Sequence, residues 1–276
     1  MTPIYLDYAA DTPPDERVIT VYLDTARAHF ANPNSVHQSG IAAKEIVSQS
    51  LEKIADLLHI GTDEIILTSG ASEANNLAVK GIAFANRRRG KHIISTILEH
   101  SSVSGALTFL QEQGWEIDLV NIKPDGTVDL DHLKSLMRQD TVLCAVCAVD
   151  SELGTVQPVR EIAEILRDYP NCRLHIDATQ AIGKTQVDLS YADTASFAPH
   201  KFYGLKGSGV LYKKQGIVLE PLIHGGASTT IYHSGTPDAP AAAALSAALQ
   251  YAINEFDERQ QNVLALNHKL RAYIAQ

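Results

Sequence analysis

Short apolar runs alternate with longer amphipathic stretches through most of the chain. Several of the runs are apolar at every position rather than at alternate positions, which is typical of strands covered on both faces of a sheet. Many are rich in β-branched residues, which favour strands. The pattern predicts strands at 64–68, 92–97, 116–122, 141–149, 173–177, 194–197 and 208–212.

Amphipathic stretches between these strands predict helices. Within residues 36–58, apolar side chains recur every three or four positions along one side, as in a helix that packs on a core. Further helices are predicted at 72–88, 102–113, 129–137, 159–168, 239–256 and 258–274. This alternation of strands and helices indicates an α/β fold with a mainly parallel sheet flanked by helices.

Composition and charge narrow the class of protein. The chain has 276 residues and a formal net charge of −9, which disfavours nucleic-acid binding because that function needs a basic face. No apolar run reaches the length of a membrane-spanning helix, and the start lacks a signal-peptide pattern. We therefore expect a cytoplasmic protein that binds neither nucleic acid nor membrane.

The sequence contains three cysteines, which are too few for a disulfide framework and suit a reducing compartment. Cys144 and Cys147 form a C-x-x-C motif, which in other contexts indicates a redox or zinc site. Here the motif lies inside an apolar, strand-like run, where the two side chains point to opposite faces. We expect buried core cysteines and no metal site.

Polar residues follow four of the predicted strands, at the sheet edge where ligands of open α/β sheets collect. The turn at 68–73 leads into a helix whose first amides can bind phosphate. Taken alone, a plain strand–helix turn with Ser72 as the cap explains it better. Asp177 ends an apolar strand, where a buried carboxylate needs a dedicated partner unless it caps a helix.

Two further groups lie at the same predicted edge. Lys201 follows a buried strand, and partial desolvation would free its amine as a nucleophile. Asp177 lies about one β-α-β unit earlier, so both side chains reach one edge. His100 follows strand 92–97, where it can stack on an aromatic ligand, although a solvated histidine is as common.

A phosphate-binding turn, a carboxylate, a lysine and a histidine at one sheet edge form the set that pyridoxal 5'-phosphate requires. The lysine binds the cofactor covalently, and the carboxylate holds the pyridine nitrogen protonated so that the ring can accept electrons. The helix N-terminus takes the phosphate. The sequence therefore predicts a pyridoxal-phosphate site around Lys201 and Asp177.

At this point the sequence resembles the class V aminotransferases, and within them the NifS/IscS-type cysteine desulfurases. The resemblance runs from the first residues nearly to the last, in the order and spacing of the family. The matching stretches are 4–10 (IYLDYAA), 32–37 (NPNSVH), 68–76 (TSGASEANN), 99–100 (EH), 175–180 (HIDATQ), 200–207 (HKFYGLKG), 224–226 (HGG) and 234–236 (SGT).

The resemblance implies a fold-type I pyridoxal-phosphate transferase and a role for each matching residue. Lys201 and His100 are the implied catalytic residues, the first binding the cofactor and the second stacking on its ring and transferring protons. Asp177 would pair with the ring nitrogen and Gln180 with the ring hydroxyl. The implied phosphate contacts are Ala71, Ser72, His200 and, from the other subunit of a homodimer, Thr236.

The resemblance also implies an activity. Family members convert L-cysteine to alanine and transfer the sulfur onward, for iron–sulfur cluster or thio-cofactor assembly, so a sulfur-acceptor protein is an expected partner. Three positions depart from the pattern. Ser151 stands where an asparagine is usual, Ala198 where a phosphate-binding serine is usual, and His233 where an arginine is usual.

Family members continue into a small C-terminal domain with a mobile loop that carries the catalytic cysteine. We expect residues 1–15 to be an N-terminal segment, 16–256 the cofactor-binding large domain and 257–276 the start of a connection to that small domain, which this sequence lacks. Without the loop, the chain alone is expected to be inactive as a desulfurase. The alternatives are another class V reaction, such as transamination or carbon–sulfur lysis, and a degenerate, non-catalytic homologue.

Overall fold

The structure, a computed structural model, describes residues 4–226 and 229–275. Its α-helices are α1 (Glu16–Ala28), α2 (Gln38–Leu58), α3 (Ala71–Asn86), α4 (Ser101–Glu112), α5 (Leu130–Leu136), α6 (Val159–Leu166), α7 (Ala239–Asn254) and α8 (Phe256–Ile274). Its strands are β1 (Ile65–Thr68), β2 (His92–Thr96), β3 (Glu116–Val120), β4 (Thr141–Cys147), β5 (Arg173–Asp177), β6 (Thr194–Phe197) and β7 (Gly209–Lys213).

The strands form one seven-stranded sheet with the order β1-β7-β6-β5-β4-β2-β3. Strand β7 runs antiparallel to both of its neighbours, β1 and β6, and the remaining pairs are parallel. The prediction of a mainly parallel α/β sheet is therefore confirmed. The crossovers between parallel strands bring the carboxyl ends of β2, β4, β5 and β6 to one edge.

Apolar side chains cover both faces of the sheet. On one face, helices α3 and α4 pack with Leu77, Ile82 and Leu110 fully or almost fully buried. On the other face, α2, α5, α6 and α7 form the larger cluster, which includes Ile54 and Leu249. Burial on both faces explains why β4 is buried at all seven positions and reads in sequence as an unbroken apolar run.

Helix α1 was not among the predicted elements. It begins after Asp15, whose side chain accepts a hydrogen bond from the Arg17 amide, and only Val18 among its residues is buried. Its sequence is nonetheless amphipathic at the helical period, so the apolar pattern itself was compatible with a helix. The aspartate cap that follows two prolines was the signal that could have revealed it.

The other element boundaries differ from the predictions by a few residues. Helix α2 begins at Gln38 because the His37 ring accepts a hydrogen bond from the Gly40 amide and caps it. Helix α8 begins at Phe256, and none of its described side chains is buried. Cys144 and Cys147 are both buried in β4, as expected. Among the described helices, none is both long and apolar enough to cross a membrane.

Candidate functional site

A cavity of about 740 Å³ opens at the carboxyl ends of the parallel strands. It brings together residues that lie far apart in sequence, as the α/β topology predicts. The predicted site residues that line it are Ala71, Ser72, His100, Asp177, Gln180, His200 and Lys201. Ser151, one of the positions that depart from the family pattern, lines it too.

The turn between β1 and α3 forms one wall of the cavity. Gly70 is the N-cap residue of α3 and has no side chain that could accept a hydrogen bond from the first amides of the helix. These amides, at the positive end of the helix dipole, therefore border the cavity. Ser72 lies within the first turn rather than at the cap, so the prediction of a serine cap was wrong. A Cβ at Gly209 would lie 2.5 Å from the carbonyl carbon of Gly70, so β7 supports this turn through a close backbone approach that only glycine allows.

Asp177 lies at the end of β5, buried at the bottom of the cavity. Its Oδ2 accepts from Asn75 Nδ2 at 2.8 Å, and its Oδ1 accepts from the Thr179 amide at 2.9 Å. Each carboxylate oxygen therefore has an N–H donor, which is what a buried ionised carboxylate requires. The dedicated partner expected from the sequence is Asn75, on α3.

His100 is the N-cap residue of α4. Its Nδ1 accepts from the Ser102 amide at 3.2 Å and lies 2.8 Å from the Ser102 hydroxyl. These contacts leave Nε2 as the ring nitrogen available to a ligand in the cavity. The cap therefore fixes both the position and the direction of the imidazole.

Lys201 reaches across the cavity to the N-terminal segment. Its Nζ donates to the carbonyl oxygens of Ala9 at 2.9 Å and Ala10 at 2.7 Å. The side-chain amide of Gln180 donates to the same Ala9 carbonyl at 2.8 Å. Two of the predicted cofactor contacts are thus held by main-chain acceptors about 170 to 190 positions away in sequence.

A second lysine lies behind Gln180. Lys184 donates from Nζ to Gln180 Oε1 at 2.7 Å. Burial, together with the charge of Lys201, lowers the pKa of Lys184 to about 8. Burial also lowers the pKa of His200, with Lys201 adding to the effect. The sequence predicted no role for Lys184, because a lysine four residues after Gln180 is typical of an exposed turn.

Glu99 is a buried carboxyl group beside Asp177. Its Oε1 accepts from the Thr96 hydroxyl at 2.8 Å and from the Cys147 amide at 2.9 Å, whereas its Oε2 has no hydrogen-bond partner among the described residues. Burial raises the pKa of Glu99 to about 8 although these hydrogen bonds act in the opposite direction. Burial therefore favours the neutral form of this carboxyl group, which would add no charge beside Asp177.

Thr236 lies outside the main cavity. It lines a separate, smaller cavity of about 160 Å³ together with His233. The His233 ring contacts Glu73 Oε1 through Nδ1 at 2.6 Å, and Glu73 Oε2 accepts from both the amide and the hydroxyl of Ser69 at 2.7 Å. Burial of Glu73 opposes its ionisation, but these partners hold its pKa below the usual value.

All three cysteines of the sequence are buried and free. Burial raises the pKa of Cys144 to about 12 and also raises the pKa of Cys147 and of Cys172. Because the thiolate is the reactive form, none of them is placed as a nucleophile. The described residues contain no cluster of three or more histidine, cysteine or acidic side chains suited to a metal ion.

Known proteins are similar to this chain in sequence and in fold. The sequence is 39% identical over 275 residues to a NifS/IcsS protein homolog of Lactobacillus delbrueckii subsp. bulgaricus, covering 99% of this chain and 71% of that protein. It is 37% identical to the protein named cysteine desulfurase IscS 1 of Archaeoglobus fulgidus, covering 96% of this chain and 70% of the relative.

Solved structures of similar sequence have the same fold as this chain. A structure titled NifS-like protein superposes with a TM-score of 0.95 at 33% identity, covering 99% of this chain and 75% of that one. A structure titled SspA in complex with cysteine superposes with a TM-score of 0.86 at 34% identity, covering 90% and 73%. The sequence pattern of the family described as aminotransferase class-V matches residues 4–276. The chain therefore belongs to the class V aminotransferase family, whose members include the cysteine desulfurases it resembles.

Proposed function

We propose that this protein binds pyridoxal 5'-phosphate and acts on L-cysteine in the manner of a cysteine desulfurase. One observation carries the proposal: a single cavity gathers the Lys201 amine, the buried Asp177 carboxylate, His100 and the N-terminus of α3. Relatives named cysteine desulfurase and a neighbouring structure titled as a complex with cysteine support the choice of substrate.

The chemistry of the donor set fits the cofactor. The first amides of α3 and the His200 side chain supply donors suited to a phosphate, and Gly70, which lines the cavity without a side chain, leaves these amides open to a ligand. Asp177 supplies the anion that a protonated ring nitrogen needs. Pyridoxal phosphate, when bound, supplies the electron sink for bond cleavage at the substrate carbon.

The surrounding residues orient the reacting groups. The carbonyls of Ala9 and Ala10 hold the Lys201 amine inside the cavity. An ammonium group can only donate, so Lys184 occupies Gln180 Oε1, and the second N–H of Gln180 Nε2, which donates its first to the Ala9 carbonyl, would be the donor toward the hydroxyl of the cofactor ring. His100 would stack on the cofactor ring, with Nδ1 engaged by Ser102 and Nε2 left for the ligand. These are the roles that we assign to the predicted site residues, including Ala71 and Ser72 at the phosphate.

Sulfur transfer needs a thiolate, and the three buried cysteines do not provide one. We therefore propose that this chain supplies cofactor and cysteine binding, and that sulfur leaves to a thiol of another segment or of an acceptor protein. Residues 16–256 are the proposed cofactor-binding domain, and residues 257–276 lead toward a small C-terminal domain of the kind its relatives have.

The assembly and setting of the protein are also proposals. We propose a homodimer in which Thr236 contacts the phosphate bound by the other subunit, because Thr236 lies outside its own subunit's cavity. The free cysteines suit a reducing cytoplasm. We also propose a role in iron–sulfur cluster assembly, as the resemblance to IscS-type proteins implies, and relatives named cysteine desulfurase IscS support it.

The cofactor is tested first. Wild-type protein incubated with pyridoxal phosphate is expected to turn yellow, and borohydride reduction is expected to fix the cofactor on Lys201, as read by peptide mass spectrometry. The Lys201→Ala variant is expected to lose both signals, and Lys214→Ala, an exposed lysine, to keep them. A colourless wild type, or a reduced adduct on another lysine, would contradict the proposal.

The reaction is tested with L-cysteine and an external thiol such as dithiothreitol. A desulfurase forms alanine and sulfide, whereas a carbon–sulfur lyase forms pyruvate, ammonia and sulfide. The lyase is the second candidate, because it needs no protein thiolate and the three cysteines of this chain are buried. Detection of pyruvate in place of alanine would decide for the lyase, and cofactor binding without either product would favour a non-catalytic homologue.

A further inference from the structure

Two groups that flank the proposed cofactor position are joined by one buried amide. Asn75, on α3, is fully buried. Its Nδ2 donates at 2.8 Å to Asp177 Oδ2 and at 2.8 Å to the Ser102 hydroxyl. Ser102 in turn contacts His100 Nδ1. Asn75 therefore links the residue proposed for the ring nitrogen to the residue proposed for the ring face.

The orientation of the Asn75 amide follows from its partners. A carboxylate can only accept hydrogen bonds, so the group that faces Asp177 must be the NH₂ group. The Oδ1 atom then faces His175 Nε2 at 2.9 Å and accepts from the Ser196 hydroxyl. Burial lowers the pKa of His175 to about 4, so this ring is neutral and carries one proton.

The same reasoning places the proton on His175. Because Asn75 Oδ1 accepts, the proton lies on His175 Nε2, and His175 Nδ1 accepts from the Thr194 hydroxyl at 2.9 Å. Every buried polar atom of Asn75 and of the His175 ring then has a partner of the correct type. A flipped Asn75 amide would instead oppose its oxygen to the Asp177 carboxylate and leave buried polar atoms without partners.

The series of hydrogen bonds that starts at Asn75 continues through Ser102 to His100 at the cavity. The Ser102 amide donates to His100 Nδ1 at 3.2 Å, so this nitrogen is an acceptor, and the Ser102 hydroxyl, which lies 2.8 Å from it and accepts from Asn75, is the donor in that contact. Two donors on Nδ1 exclude a proton there, so the neutral ring of His100 carries its proton on Nε2, the nitrogen left for a ligand.

We propose that Asn75 and Ser102 are positioning residues that set His100 as the Nε2–H tautomer and keep Asp177 as an acceptor. The inference rests on the proposed function only for the identity of the ligand. In the resting protein His100 is then a hydrogen-bond donor to the cavity, not a proton acceptor. Ser102 acts through His100, and Asn75 acts through both Ser102 and Asp177.

The tautomer can be read in the full chain without cofactor. Long-range ¹H–¹⁵N correlation spectra of protein labelled with ¹⁵N-histidine distinguish a protonated from an unprotonated ring nitrogen, and the loss of one set of signals in His100→Gln assigns His100. At neutral pH the wild type is expected to show protonated Nε2 and unprotonated Nδ1. Protonated Nδ1 in the neutral ring would overturn the proposal.

Two serine variants on one helix test the role of Ser102. Ser102→Ala is expected to give signals of a mixture of the two tautomers, whereas Ser104→Ala, at an exposed position of the same helix, is expected to leave the His100 signals as in wild type. Identical His100 signals in Ser102→Ala and wild type would overturn the proposal. Thermal melting shows that each variant is folded.

The role of Asn75 is tested by measuring the affinity of two variants for pyridoxal phosphate. Asn75→Ala removes the hydrogen bonds to both Ser102 and Asp177, whereas Ser102→Ala removes only the hydroxyl contact with His100 and the acceptor for Asn75. The dissociation constant for pyridoxal phosphate is therefore expected to rise more in Asn75→Ala than in Ser102→Ala. Equal affinities in the two variants, both folded, would remove Asn75 from the proposal. A wild type with the expected tautomer that does not bind the cofactor would refute the proposed function and leave the tautomer assignment standing.

Discussion

The floor and the rim of the cavity are built in different ways. The floor consists of Asn75, Ser102, His175 and Asp177, all buried and joined by side-chain hydrogen bonds between α3, α4 and β5. The rim is the N-terminal segment 4–12, which is mostly exposed and meets Lys201 and Gln180 through main-chain carbonyls. The floor is thus preorganised by the core, whereas the rim depends on a few attachments near Thr12.

This difference has a functional meaning. Groups fixed in the core keep their direction when a ligand binds, because moving them would leave buried polar atoms without partners. A segment held by carbonyl acceptors can exchange those contacts for others at little cost. We therefore expect the floor to determine cofactor affinity and the rim to determine access to the Lys201 amine.

The largest effect is expected at the floor. Asp177→Asn removes the anion that we propose to pair with the ring nitrogen of the cofactor and is expected to weaken pyridoxal-phosphate binding by about 10–100-fold, the range for one hydrogen bond to a charged group. Equilibrium titration of the visible absorption measures this. Asp131→Asn, at an exposed position of α5, is the matched control, and equal affinities of the two variants would show that the floor does not select the cofactor.

A second effect concerns Glu99, which lies next to the floor. Its pKa of about 8 in the folded protein exceeds its ordinary value of 4.5, so the folded state binds more protons than the unfolded state between these values. Stability attributable to this group therefore falls as pH rises through that window and levels off above about pH 8. From about pH 6.5 to 8, the loss is expected to be about 2 kcal/mol.

Glu99→Gln keeps the acceptor and removes the titration. The difference in the free energy of unfolding between wild type and this variant, measured by denaturant titration at the two pH values, should change by that amount. Glu112→Gln, on the exposed surface of α4, serves as control. A wild type and a Glu99→Gln variant with parallel pH dependence would show that Glu99 is already ionised at neutral pH.

The smallest effect is expected at the rim. The Thr12 hydroxyl donates to the His200 carbonyl at 2.8 Å and accepts from the Tyr203 amide at 2.7 Å. Thr12→Val keeps the shape and removes both bonds, so we expect a loss of about 1–2 kcal/mol of stability. Hydrogen exchange should accelerate within 4–12 and not at the floor, and acceleration at Asn75 or Asp177 would show that the two regions are coupled.

The reactive groups at the strand ends could be predicted from sequence, whereas Asp177 was the only one of the four floor residues that was predicted as part of the site. Asp177 ends a strand, Lys201 and His100 each follow one, and the regular alternation of strands and helices determines which edge the strand ends share. The family resemblance added Ala71, Ser72, Gln180 and His200, which the structure places around the same cavity. Thr236 remains a prediction, because its proposed contact is with another subunit.

The remaining features could not be read from the sequence, for physical reasons. The Lys201 contacts are made by main-chain carbonyls of Ala9 and Ala10, and any residue type supplies a carbonyl. Asn75 looks like one more polar residue near a helix start until the fold places β5 beneath it. The antiparallel direction of β7 has no signature in a short apolar strand, because both directions bury the same faces.

The pairing of β1 with β7 affects the order in which the protein folds. Strand β1 lies at one end of the described sheet, and the neighbour it pairs with begins at Gly209, about 140 residues later in the chain. Such a long loop must close before the pairing can form, which makes the step slow relative to local contacts. The turn that carries Ala71 and Ser72 therefore takes its final shape late, when the rest of the sheet is in place. During refolding, acquisition of phosphate affinity would report completion of the domain rather than its first collapse.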